Sequence, residues 1–198
     1  MCEQCDILLP YLQCESENRW RQTPYALDDQ SLNELHRRSH EKIETLFPDW
    51  PPYPTAQRIN RELEALWTSP YAHALLVADD AMKALEKKGI LVTLRGLWCQ
   101  SYYVYLMGMT DQEPLGMPDP SVLVGGPILL QVAAKDEGAC REALLLAAWE
   151  HGFSLGAEGD NGFLLLPPER SCVQWDCFAF RKRGDAQPTN APVLRLLI

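Results

Sequence analysis

The chain of 198 residues has no apolar run approaching the roughly 18 residues a membrane span requires, so no membrane partner is expected. It also lacks a basic arm. Residues 1–89 carry 15 acids and 10 bases, and residues 90–198 carry 12 acids and 8 bases. The net charge of −9 is thus spread along the chain, without the positive footprint that dominates nucleic-acid affinity, and nucleic acid is not expected as a partner. The one basic run, Arg181-Lys182-Arg183, reads as a solvated strand end. No Gly-x-Ser-x-Gly and no phosphate-cradling glycine loop occurs, and Gly125-Gly126-Pro127 precedes a strand, the wrong context for helix-dipole phosphate binding. The first residues, Met1-Cys2-Glu3-Gln4-Cys5-Asp6, place acids where a secretory leader needs Lys or Arg, which predicts a cytoplasmic protein. Seven cysteines, an odd number set in apolar or helical patterns, suit reduced thiols better than a disulfide framework.

What is present is apolar and aromatic. A hydrophobic fraction of 46% with six Trp, seven Tyr and five Phe predicts a folded globule. The N-terminal half reads as helical. Asp28 or Asp29 caps a helix carrying Leu32, Leu35, Ser39, Ile43 and Phe47 at a period close to 3.6. Pro48, Pro51, Pro52 and Pro54 form a rigid connector, after which Thr55 caps a helix with Ile59, Leu63, Leu66 and Trp67 on one face. A third helix runs over residues 71–88 with Leu75, Met82 and Leu85 inward and Gly89 at its end.

The period then changes. Strands are predicted over residues 90–94 and 102–109, with Gly96 between them, and a Pro- and Gly-rich loop over 111–120. Residues 127–168 read strand, helix, strand, strand: Pro127-Ile-Leu-Leu-Gln-Val, a helix from Asp136 to His151, then two strands split by the hairpin signal Gly159-Asp160-Asn161-Gly162. Residues 173–181 alternate as a further strand, and residues 193–198 add an edge strand. The fold class is therefore α+β, a helical N-terminal half packed on a mostly antiparallel sheet containing the strand-helix-strand-strand unit. A boundary near residue 70 separates helical residues 1–70 from an α+β domain over 71–198, though the two read equally as one continuous domain.

Three candidate sites stand out. Cys2-x-x-Cys5 and His36-x-x-x-His40, the imidazoles four apart on a helix, are a chemically sensible tetrahedral zinc set. The bland alternative is two solvated histidines and two ordinary thiols. Trp98, Gln100, Tyr103 and Tyr105 form the densest aromatic and polar cluster, and alternate tyrosines on a strand with wet phenols suit a partner surface. A half-buried strand with tyrosines at its margin is the competing reading. Nucleophilic catalysis needs a base, and only His36, His40, His73 and His151 are available. His151, at a helix C-terminus, reads first as a cap that suits the dipole. Asp79-Asp80, adjacent on a helix, point about 100° apart and form no obvious pair.

Two resemblances can be read from motifs. Ala84-Leu85-Glu86-Lys87-Lys88-Gly89-Ile90 followed by Cys99-Gln100-Ser101, with a strand-helix-strand finish over residues 128–166 and a basic tail after Trp175, resembles an uncharacterised bacterial domain family with no established activity. A fainter likeness is to the palm of the bacterial replicative DNA polymerase alpha subunit, carried by Gly89-Ile90, Arg95-Gly96, Ser101, Val104-Tyr105-Leu106, Gly108-Met109-Thr110-Asp111 and Pro114-Leu115. That family uses a Gly-Ser step and two aspartates one residue apart after a proline. Here Gly96 is followed by Leu97, and Asp119 by Pro120 and Ser121, so the catalytic set the resemblance implies is incomplete.

Together these features predict a cytoplasmic protein that binds another protein, a basic one suiting its negative charge, in a regulatory or immunity-like role, with no cofactor. The rivals are a zinc protein using Cys2, Cys5, His36 and His40, and a small-molecule enzyme with a pocket between helices and sheet near Cys99, Tyr103 and His151.

Overall fold

The first described helix, α1 (Asp29–Leu46), follows the expected stripe. Leu35 and Ser39 are fully buried, and Ile43 and Phe47 pack on the core beside them. Ser39 is tolerated at that depth because its hydroxyl donates to the His36 carbonyl at 2.8 Å. The computed structural model describes residues 29–49, 51–67, 71–115, 123, 126–158, 162–166 and 193–198. The strand expected over 173–181, Cys2, Cys5 and the loop around Asp119 lie outside them.

Helix α2 (Tyr53–Trp67) begins before the Thr55 cap expected for it. Pro54 occupies its first turn, where a missing N–H costs no helical bond and the fixed φ already suits a helix. Helix α3 (Tyr71–Lys87) is buried along all of residues 71–79. Ala72, Ala74, Ala78 and Ala81 keep it thin enough for α1, α2 and the later helix to close around it. Gly89 turns left-handed at φ +73, and the Gly89 and Ile90 N–H groups return to the Glu86 and Leu85 carbonyls at 2.8 and 3.0 Å, which ends the helix.

The next segment departs from expectation twice. The strand predicted over 90–94 is reduced to β1 (Thr93–Arg95). The strand predicted over 102–109 is instead a 3-10 turn (Leu97–Gln100) followed by α4 (Tyr102–Leu106). Gly96 makes the turn possible, with φ +78 and ψ −154, a region essentially closed to other residues.

Strand β2 (Ile128–Gln131), a short 3-10 turn (Ala134–Asp136), α5 (Glu137–Glu150), β3 (Ser154–Glu158) and β4 (Gly162–Leu166) reproduce the strand-helix-strand-strand unit. β5 (Val193–Leu197) completes a five-stranded sheet in the order β1-β2-β5-β4-β3. It is not the edge strand expected of it. β5 lies centrally, parallel to β2 and antiparallel to β4, while the β1–β2 and β3–β4 pairs are also antiparallel. Alternation explains the placement: Leu194 and Leu196 are buried between neighbours, and Arg195 and Leu197 point outward. Ile128, Leu130, Phe163 and Leu165 join Leu194 and Leu196 under the helices, whereas Leu164, Leu166 and Val193 form a small cluster of their own. The architecture is α+β, and no helix among the described residues is long and apolar enough to cross a membrane.

Candidate functional site

Residues 98–105 form the centre of the helical layer. Trp98 is 1% exposed, stacks on Tyr71 at 5.3 Å, and donates its indole N–H to the Gly126 carbonyl at 3.0 Å. Tyr103 is fully buried and Tyr105 nearly so, with the Lys42 ammonium 3.7 Å from the Tyr105 ring centroid. Of the four residues expected to face a partner, only Gln100 is exposed. The wet tyrosine strand is thus corrected to a buried helix. Its cause is Glu62, a carboxylate 3% exposed on α2. Glu62 accepts from Ser101 Oγ at 2.8 Å, from the Tyr102 N–H at 2.8 and 3.0 Å, and from the Tyr103 N–H at 3.2 Å, capping the orphan donors of α4. Arg58, 8% exposed, balances the charge at 3.1 Å and donates to the carbonyls of Gln100 and Pro114. Burial and the Glu62 charge both push the Tyr103 phenol pKa up, keeping it neutral. Its hydroxyl is buried and meets no hydrogen-bond partner among the described residues.

A second polar cluster surrounds a cavity of about 730 Å³ beside α1, α3 and the end of α5, with Ser31, Arg37, Arg38, His73 and His151 in its lining. Arg38 is its hub, donating to Glu34 at 2.8 Å, to Asp79 at 2.6 Å and to Asp80 at 2.6 and 3.0 Å. Lys83 also holds Asp79 at 2.7 Å. His151 is the C-cap residue of α5, as expected, and its Nε2 also donates to Asp80 Oδ2 at 2.7 Å. Burial alone would raise the Asp80 pKa, but the hydrogen bonds from His151 and Arg38 outweigh it and hold the carboxyl well below its ordinary range. Hydrogen bonds from Arg37 and Arg38 lower Glu34 to about 2. Ser31 Oγ lies 2.7 Å from His73 Nδ1, both groups buried.

These pairs span 71 and 42 residues of sequence, which is why motif spacing could not find them. This cavity lies among the helices. It includes His151, but Cys99 and Tyr103 are not among its described lining residues. His36 and His40 are exposed on α1 with ring centroids 6.0 Å apart, and their groove of about 380 Å³ is lined by Ile43, Phe47, Pro48 and Ile59. Among the described residues no group of three or more His, Cys, Asp or Glu is placed to hold a metal, and Cys2 and Cys5 lie outside that set.

The outer face of α5 is the third feature. Cys140, Ala143, Leu144, Ala147 and Ala148 face the core, yet Leu145, Leu146 and Trp149 on the far side are 51%, 53% and 76% exposed. Glu142 shares this outer face, and among the described residues Leu145, Leu146 and Trp149 stay largely exposed beside it.

No curated protein and no solved structure matches the chain. The family model described as the bacterial DNA polymerase III alpha NTPase domain matches residues 33–153, which is 121 of 198 positions. That span runs from α1 through α5 and contains the buried Glu62 cap, the Arg38–Asp80–His151 cluster and the polymerase-like segment 89–115. With more than half of its length matched, the chain belongs to the bacterial DNA polymerase III alpha NTPase domain family.

Proposed function

We propose that this member of the family acts by binding another protein, in a regulatory or immunity-like role, and that the outer face of α5 is the binding surface. The observation that carries this reading is Trp149, 76% exposed beside Leu145 and Leu146 on a helix whose opposite face is already buried. Exposed Trp with flanking Leu is the composition of an interface anchor, and contiguous apolar patches on a surface mark interaction sites. Glu142 and Glu150 border the patch, and the chain carries −9 overall, so the fitting partner presents an apolar pocket rimmed by Lys or Arg.

The test is a capture experiment from native lysate with the tagged wild type and a Trp149→Asp variant of equal thermal stability. A partner retained by the wild type and lost by the variant supports the reading. Equal capture by both, or none by either, removes it.

A further inference from the structure

Granting the outer face of α5 as the binding surface, on which this rests, we propose that the partner docks there by adding an extended strand to the free edge of β3. β3 (Ser154–Glu158) is the last strand of the sheet, and among the described residues it pairs with β4 alone. Its outward N–H and C=O groups are therefore a template for another strand. The two edges of the sheet differ. β1 is three residues long and carries Arg95, whose Nε donates to Gln131 at 2.7 Å. β3 is five residues long and has no Lys, Arg or Pro, the residues that commonly blunt an edge.

The apolar side chains of α5 stand beside that edge. α5 packs against α3 and against β3, and after the Gly152 turn at φ +78 the chain runs back beneath the helix as β3. Arg141 marks the sheet side of α5, its guanidinium 5.2 Å from the Phe163 ring of β4. At 3.6 residues per turn each four-residue step rotates about 40°, so Leu145 and then Trp149 swing outward from Arg141, away from α3. The helix rise between Leu145 and Trp149 is about 6 Å, close to the ~6.7 Å between alternate residues of a strand. Two side chains on the α5 side of an added strand therefore meet both. Leu155 packs on the core beneath the helices, whereas Gly156 lies on the other sheet face, where a Cβ would stand 2.9 Å from Leu166 Cδ1. Glu142 and Glu150 rim the α5 side of this groove, and the chain carries −9 overall. The fitting partner segment is thus extended, apolar at alternate positions and flanked by Lys or Arg.

The probe is a phage-displayed library of random twelve-residue peptides selected against the full chain, from which the most enriched sequence is synthesised. Amide hydrogen exchange followed by NMR should first show every second β3 amide protected, the set bonded to β4, and the complementary set exchanging freely. Adding the peptide should slow that second set at least about 10-fold. Single N-methylation along the peptide should weaken binding at least about 10-fold at alternate positions only, because every second N–H of an added strand faces β3. Trp149→Asp should weaken the peptide at least about 10-fold and reports on α5 separately. Binding that depends on Trp149 but leaves the exposed β3 amides unprotected overturns strand addition and leaves the α5 surface standing. Binding and β3 protection indifferent to Trp149→Asp remove the α5 surface, and this proposal with it. Protection of both β3 sets before any peptide is added overturns the proposal, since the edge is then occupied by the chain itself or a second copy. Failure of any peptide to be enriched overturns it as well.

Discussion

Replacing Glu62 by Ala should be among the most damaging single substitutions in the helical layer. The carboxylate is 3% exposed and caps two backbone N–H groups, the Ser101 hydroxyl and the Arg58 side chain. In the alanine variant Arg58, 8% exposed, keeps the Gln100 and Pro114 carbonyls but loses its counter-charge. Breaking a buried ion pair by deleting one partner costs about 3–5 kcal/mol. Two orphaned helix donors fall within the same loss, because water can enter the space left behind and meet part of their need. A total of about 4 kcal/mol is expected, equivalent for a domain of this size to a fall in Tm of roughly 8–16 °C. Glu62→Gln keeps the shape and one acceptor oxygen, but turns an NH2 toward N–H donors. It should lose roughly half as much, about 2 kcal/mol. Urea unfolding followed by far-ultraviolet circular dichroism and by tryptophan fluorescence gives both values. A loss under about 1 kcal/mol for Glu62→Ala would refute the claim that this carboxylate organises residues 98–105.

Three further outcomes follow from the same geometry. Glu34 and Asp80 have depressed folded-state pKa values, so the stability they contribute is fully present above the ordinary carboxylate range and lost as pH falls through the folded value. For Glu34 that window runs from 4.5 down to about 2, and Glu34→Gln should flatten the decline of the urea midpoint there by about 1 kcal/mol, after allowance for solvent screening. Burial pushes the Cys140 thiol up to about 11, so iodoacetamide at pH 8 should leave Cys140 unmodified in the folded protein and alkylate it in urea, as read by peptide mapping. Native-state alkylation at the rate of a free thiol would contradict its placement. Tyr103→Phe removes a buried hydroxyl that lacks a partner among the described residues, and should be neutral or stabilising by about 1 kcal/mol in the same urea assay.

Where periodicity was long, the fold was legible in the sequence. The Leu35, Ser39 and Ile43 stripe marks α1, and the Gly-Asp-Asn-Gly turn predicts the β3–β4 pair that forms. Two failures have one physical origin, the dominance of distant partners over local preference. Tyr-Tyr-Val-Tyr is rich in strand-forming residues, yet a carboxylate some 40 positions earlier caps those N–H groups into a helix. The last strand reads as an edge because it stands at the end of the alternating pattern, and it becomes central because β2 and β4 each accept it as a neighbour. The sites suffered in the same way. Asp80 and His151 have separate local explanations, as a helix acid and a helix cap, and only the packing of α5 on α3 joins them. The α5 face was readable in principle. Leu144-Leu145-Leu146-Ala147-Ala148-Trp149 has no polar side, so one face had to be left uncovered or covered by something else.

We propose that a protein partner docks on the outer face of α5, around Trp149. The direct measurement is in-cell crosslinking with a photoreactive amino acid placed singly at position 149, at 146, or at exposed position 86 on α3 as a control. The same heavier protein adduct is expected from 149 and 146 and none from 86. Adducts from all three positions alike, or from 86 alone, would contradict it.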